Sequence, residues 1–165
     1  GYGGVTLKCY ENLADGKYDH DALREHCALI KKLPTMYEDD HRFYVHAGFQ
    51  PGVTAHNSSE STRLWARPDI GEVPEYDFGK LVVHGHTPQQ LYPRVMPFRL
   101  NIDTGACYFK PHHDEFSDYG RLTVARWNEE NKISLWMFSP VTNKPRKLAM
   151  NILKIPNKKY YELDQ

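Results

Sequence analysis

The sequence predicts an α/β fold that opens with alternating helices and strands and ends in antiparallel strands. Three observations predict it. Two short apolar runs, Phe43-Tyr44-Val45 and Leu81-Val82-Val83, each lead into a histidine beside a glycine. Such a run reads as a buried strand that breaks into a loop at its C-terminal end. A helix-period segment, His20–Lys32, precedes the two runs, and His56–Trp65, polar at its start and apolar at its end, reads as a short helix between them. From Phe98 onward the pattern becomes alternating strands joined by turn residues.

Composition bounds the function. The 165 residues suffice for one domain with a core, and 40% are hydrophobic. Residues 1–155 read as belonging to one domain and 156–165 as a polar tail. Lys+Arg 21 balance Asp+Glu 21. That balance argues against a nucleic-acid partner or an anionic membrane surface, though not against a local basic pocket. No apolar run approaches the ~20 residues of a membrane helix, and no signal segment opens the chain. Cys9, Cys27 and Cys107 have no C-x-x-C spacing, so neither a disulfide framework nor a cysteine zinc site is suggested. They are expected as buried or half-buried thiols in a reducing compartment, the cytoplasm. The 9 histidines are many for this length, and several fall at strand ends.

The elements follow in order. Gly1–Gly4 predicts a flexible lead-in, Val5–Tyr10 a helical turn and Asp15-Gly16 a turn. Asp19 is placed to cap the helix His20–Lys32. In it Leu23, Cys27, Ile30 and with them Ala22 and Leu33 share a face, Lys31 and Lys32 fall in the last turn, and Pro34 stops it. Met36-Tyr37 suggests a short strand, Glu38-Asp39-Asp40 a turn, and Arg42–His46 the first strong strand. The segment with Pro51-Gly52 is loop, and the helix His56–Trp65 is expected to carry Leu64 and Trp65 into the core. After a loop from Asp69 to Gly79 comes the second strong strand, Leu81–His84. Phe98–Ile102 reads as a strand ended by Asp103-Thr104-Gly105, and Cys107–Tyr119 as an irregular insertion. Arg121–Trp127 and Ile133–Phe138 form a hairpin around Asn128–Lys132. Ser139–Arg146 is turn-rich, and Ala149–Ile155 is a candidate edge strand.

The candidate chemistry sits at the strand ends, where ligands gather in open α/β sheets. His46 and His86 are too far apart in sequence for a local H-x-x-x-H pair, so only a sheet that sets the two strands near each other can join them. Neutral imidazoles held there could ligate a metal, and Gly48 and Gly85 leave bare backbone for an ion or phosphate. Strand-capping hydrogen bonds are the competing reading. Arg67 has the planar fork that matches phosphate oxygens, or is a solvated helix-end arginine. Asp103 suits either the orientation of a neighbouring histidine or a simple Asx-turn. The run His112-His113-Asp114-Glu115 is rich in ligand types but reads as solvated loop. No G-x-S-x-G elbow, Walker loop or G-x-G-x-x-G is present, so serine nucleophile chemistry and nucleotide cradling lack support.

Several blocks together carry a resemblance. They are Gly3–Tyr10, Phe43–Gly52 with His46-Ala47-Gly48, Leu64-Trp65-Ala66-Arg67, Val82–Pro88 with His84-Gly85-His86-Thr87-Pro88, and Asn101–Ala106. In this order they resemble the second half of the calcineurin-like metallophosphoesterases, in the branch of bacterial serine/threonine protein phosphatases and symmetrical diadenosine-tetraphosphate hydrolases. The resemblance implies the C-terminal half of a four-layer α/β/β/α sandwich. It implies two divalent metal ions, manganese, iron, zinc or magnesium, that activate a water and clamp the phosphate. Carried over by position, His46 and His86 would ligate one ion and Arg67 the substrate phosphate. His84 falls beside the ligand motif as a pocket residue, and Asp103 supports the turn. The substrate would be a phosphoprotein or a dinucleoside polyphosphate.

The chain departs from the family in its missing first half. Gly-Asp-x-His-Gly, Gly-Asp-x-x-Asp-Arg-Gly and Gly-Asn-His-Asp/Glu, which supply the carboxylate ligands and the general acid, do not occur here. Asp19-His20-Asp21 lacks the flanking glycines. The chain is therefore expected to be part of a longer enzyme, inactive by itself, whose N-terminal half of the same domain completes the site. A catalytically inactive binding or scaffold remnant is the rival. The segment Cys107–Tyr119 is longer than the family's short passage to the next strand, and a loop there could shape substrate choice.

Overall fold

The computed structural model describes residues 3–12, 15–67, 76–108, 120–139, 144–149 and 162–163. The insertion core at 109–119, including His112–Glu115, and the candidate strand from 150 lie outside them. The chain forms two compact units, Gly1–Pro34 and Thr35–Gln165.

In the first unit, helix α1 spans Gly3–Lys8 and helix α2 spans His20–Ile30. Between them Glu11 and Tyr18 form an antiparallel bridge, and Gly16 takes the left-handed conformation in the turn, with φ 67°. The Asp19 cap forms as expected: its Oδ1 accepts from Ala22 N–H at 2.9 Å. Two expectations are corrected here. Lys31 is already the C-cap, so the two lysines lie beyond the last turn. No residue of α2 is buried, and Ile30 is 65% exposed. Helical spacing marks a stripe as apolar, but nothing in it says what will cover the stripe. Cys9, Cys27 and Cys107 are all exposed and outside any disulfide, against the expectation of buried or half-buried thiols.

The second unit holds two sheets. The first contains β1 (Met36–Glu38), β2 (Arg42–Val45), β3 (Leu81–His84), β4 (Arg94–Val95) and β5 (Arg99–Asn101), in the order β1-β2-β3-β5-β4. The central three are parallel, and β1 and β4 run antiparallel at the edges. The second sheet is the antiparallel set β6 (Leu122–Trp127), β7 (Lys132–Ser139) and β8 (Lys144–Lys147), with β9 (Glu162–Leu163) parallel to the start of β7. A mixed α/β chain ending in antiparallel strands is thus what forms. Among the described residues no helix is long and apolar enough to cross a membrane.

Side-chain alternation sorts the core. Leu81, Val83 and Leu100 pack against Ile133, Leu135 and Leu148. Phe43, Val45 and Val82 point the other way, against Phe49, Ala55 and Tyr76. Both faces of the central strands are covered, which is why the sequence there is continuously apolar. Burying one such side chain contributes on the order of 2 kcal/mol. The sheets are also joined by a polar strap. Arg42 is 8% exposed, and its two terminal nitrogens donate to Asn131 Oδ1 at 2.6 and 2.7 Å. Its guanidinium carbon lies 4.4 Å over the Trp127 ring.

Candidate functional site

Parallel pairing of β2 with β3 brings their C-terminal ends side by side. His46 follows β2 directly, and His86 follows β3 across Gly85. The backbone joins the two ends, with Gly85 N–H donating to His46 O at 2.9 Å. The side chains then meet. His46 Nε2 lies 3.0 Å from His86 Nδ1, with ring centroids 4.8 Å apart. His46 is exposed and His86 half-buried.

The loop carrying His86 is pinned to the end of β5. Asn101 Nδ2 donates to Thr87 O at 2.8 Å, and Asp103 N–H donates to Asn101 Oδ1 at 2.9 Å. Gln89 N–H donates to Asp103 O at 2.8 Å. Asn101 is a positioning residue that sequence reasoning passed over. Its only advance signal was its place at a strand end beside the Asp-Thr-Gly turn. The loop carrying His46 is held by Phe49 N–H donating to Tyr76 Oη at 3.1 Å and Gln50 N–H donating to Ser58 Oγ at 3.0 Å.

Electrostatics disfavour protonation of His86. Burial holds the His86 imidazole below its ordinary value, and the neighbouring His46 and the Arg67 charge add to this, against the Asp103 carboxylate. A neutral imidazole keeps the lone pair that a metal ion requires. Arg67 itself is exposed, just past the helix α3 (Glu60–Trp65). That short helix is fixed at both ends. Ser59 Oγ caps it by accepting from Thr62 N–H at 3.1 Å, and Ala47 N–H donates to Arg63 O at 2.8 Å. Arg63 in turn donates through NH2 to His56 O at 2.8 Å.

His84 and Asp103 flank the pair without joining it. His84 is 4% exposed, and its Nδ1 lies 3.2 Å from Gly85 O. Burial, then the Arg99 charge, push its imidazole down to about 4. Asp103 Oδ1 accepts from Gly105 N–H at 2.9 Å, the Asx-turn arrangement, so its effect on His86 runs through charge and packing. Trp65 departs from expectation. It is 70% exposed rather than core, and its ring stands 5.8 Å from that of His86 at 88°. Successive helical residues point about 100° apart. Leu64 on the neighbouring side is only half-buried, so neither residue of this short helix enters the core as expected.

The donor set fits one metal ion in part. Two imidazole nitrogens 3.0 Å apart can share an ion, since metal–nitrogen bonds are about 2.0–2.1 Å. A metal-bound imidazole donates its other ring N–H to an acceptor. His86 Nε2 is buried and has no such partner among the described residues. No group of three or more His, Cys, Asp or Glu among the described residues can hold an ion. The histidine pair thus has no third ligand of these types among them. Beside the pair lies a cavity of about 430 Å³, bounded by His46, His84, His86, Asp103, Thr104 and Thr123. No family model, no curated protein and no solved structure matches this chain.

Proposed function

We propose that this chain carries one side of the active site of a metal-dependent phosphoester hydrolase of the protein serine/threonine phosphatase type. The observation that carries this reading is the facing of His46 Nε2 and His86 Nδ1 at the ends of two adjacent parallel strands. Bound divalent cations, manganese, iron, zinc or magnesium, would supply positive charge that polarises a phosphoryl oxygen. His46 and His86 would hold such an ion, and the lowered proton affinity of His86 helps to keep its lone pair available. Arg67 binds phosphate oxygens at the exposed mouth, where its charge already reaches His86. Asn101 and Asp103 set the loop so that the His86 ring is already turned when an ion arrives. The carboxylates and the acceptor for His86 Nε2 come from a complementary N-terminal half of the domain, for which the cavity beside the imidazoles leaves room. Three exposed cysteines outside any disulfide suit a reducing compartment, which favours the cytoplasm.

A second reading, a non-catalytic scaffold with one weak metal site, draws support from the two-donor count alone. Calorimetric titration with Mn²⁺ tests both. The wild-type chain is expected to bind one ion weakly, and His46→Ala or His86→Ala to lose about tenfold or more in affinity. Heats that do not change in either variant overturn the metal site. Residues 1–165 alone are expected not to turn over p-nitrophenyl phosphate. Turnover by them that His86→Ala abolishes overturns the need for a complementary half.

A further inference from the structure

We propose that Trp65 is the specificity-determining residue of this site and that it selects phosphoesters whose organic part carries a flat aromatic ring. The inference rests on the phosphoester reading and deepens it.

Three observations carry it. First, Trp65 is 70% exposed although it stands against the His86 ring, 5.8 Å away at 88°. The two rings meet edge to face, and most of the indole surface stays open. Large aromatic surface gains most when it is covered, and a flat partner covers it best. Second, the helix that carries the indole is held in place. The Ser59 cap, the bond from Ala47 N–H to Arg63 O at 2.8 Å, and the bond from Arg63 to His56 O at 2.8 Å fix α3 from both sides. A ring on a fixed backbone gives up less conformational freedom when a ligand lands on it than one on a loose loop. Third, Arg67 lies two positions on, and its charge is felt at His86. A cation for the phosphate and a platform for a ring thus leave the same helix end together.

A phosphoserine side chain offers nothing flat to this platform. A phenol ester or a nucleotide does. Stacking of one ring on an indole is worth roughly 5- to 150-fold in affinity. The two ring sources share this chemistry and differ in the distance from ring to phosphorus.

The test is equilibrium binding in the presence of Mn²⁺, with two matched pairs of ligands. Phenyl phosphate is compared with cyclohexyl phosphate, and AMP with ribose 5-phosphate. In the wild type at least one aromatic member is expected to bind about 5- to 150-fold tighter than its partner. The phenyl pair reports a ring bonded directly to the ester oxygen, and the AMP pair a ring one sugar away. Trp65→Ala brings the aromatic ligand down to the value of its partner, while Trp65→Phe keeps part of the difference. The exposed position makes both variants tolerable to the fold. Equal affinities within both pairs in the wild type overturn the proposal, and so does an aromatic advantage that survives Trp65→Ala. Arg67→Ala and His86→Ala separate it from the reading beneath it. If they leave every affinity unchanged while Trp65→Ala removes the aromatic advantage, the platform stands and the phosphoester site falls. If none of the four ligands binds, both fall.

Discussion

The strap between the two sheets makes the sharpest energetic prediction. Arg42 is a buried cation whose two terminal nitrogens share one acceptor, Asn131 Oδ1, at 2.6 and 2.7 Å. Asn131 also sits in the left-handed region with φ 60°, so side chain and backbone effects must be separated. Asn131→Gly does this, because glycine adopts that backbone freely. It removes only the acceptor, and losing a hydrogen bond to a buried charged donor costs about 2 kcal/mol. Asn131→Ala removes the acceptor and adds a left-handed penalty of roughly 1 kcal/mol, for about 3 in all. Asn131→Asp keeps the acceptor, gives it a full charge, and is expected at or above wild-type stability at neutral pH. Urea unfolding followed by Trp127 emission reads the strap directly, since Arg42 lies 4.4 Å over that ring. With a urea slope of about 2 kcal/mol per molar, Asn131→Gly lowers the midpoint by about 1 M. A glycine variant within about 0.5 kcal/mol of wild type at unchanged slope refutes the strap, because ordinary surface changes fall in that range. An alanine variant no less stable than glycine refutes the backbone argument.

Two further predictions concern groups around the site. The buried His84 imidazole is pushed from 6.5 to about 4, so between those values the unfolded chain binds a proton that the folded chain does not. Its stability contribution is whole above the unfolded value and falls as pH drops toward 4, by about 3 kcal/mol, in the metal-free chain. His84→Gln is expected to flatten that part of the urea-midpoint profile, and parallel profiles for the two proteins would remove burial of His84 as the cause. Ser59→Ala deletes the α3 cap, an acceptor for Thr62 N–H at 3.1 Å, and is expected to cost about 1 kcal/mol in thermal melts. Ser59→Asp should restore it, and a wild-type melting point for the alanine variant would show that the cap contributes nothing.

Much of the fold was legible because burial leaves a pattern. Leu81-Val82-Val83 is apolar without interruption because both faces of β3 are covered, and the polar turn after Trp127 marks the hairpin of β6 and β7. Other strands leave no such mark. β8 reads Lys144-Pro145-Arg146-Lys147, fully exposed, at the edge of its sheet. Charge and proline suit an edge, where they block pairing with other chains, and they hide the strand from any reading of hydrophobicity. β4 has two residues, between Pro93 and Pro97, too few to show a period. Trp65 misled for the opposite reason. An indole is read as core by its size, and only the phase of a short helix shows that it faces out.

The histidine pair shows where residue type stops being informative. A glycine between two histidines suggests that the glycine takes the unusual backbone and leaves space for a ligand. Here the left-handed residue is His86 itself, with φ 70°. Gly85 serves a different purpose: a Cβ there would lie 3.3 Å from Asp103 Cβ, so a larger residue presses on the turn that follows β5. Left-handed backbone costs a non-glycine residue about 1 kcal/mol or more. Histidine is among the types that tolerate it, and neighbouring bonds hold the turn, with Thr87 N–H donating to Gly85 O at 2.8 Å and Gly85 N–H to His46 O at 2.9 Å. The turn has a consequence for chemistry. A residue that continued β3 would stand its side chain out from one face of the sheet. The reversal at His86 instead turns Nδ1 back to within 3.0 Å of His46 Nε2. Strain at a binding position persists only where the surroundings over-determine it, and here they do. Glycine at position 86 would relieve the strain and delete the donor in one change, so at this position the backbone cannot be relaxed without losing the site.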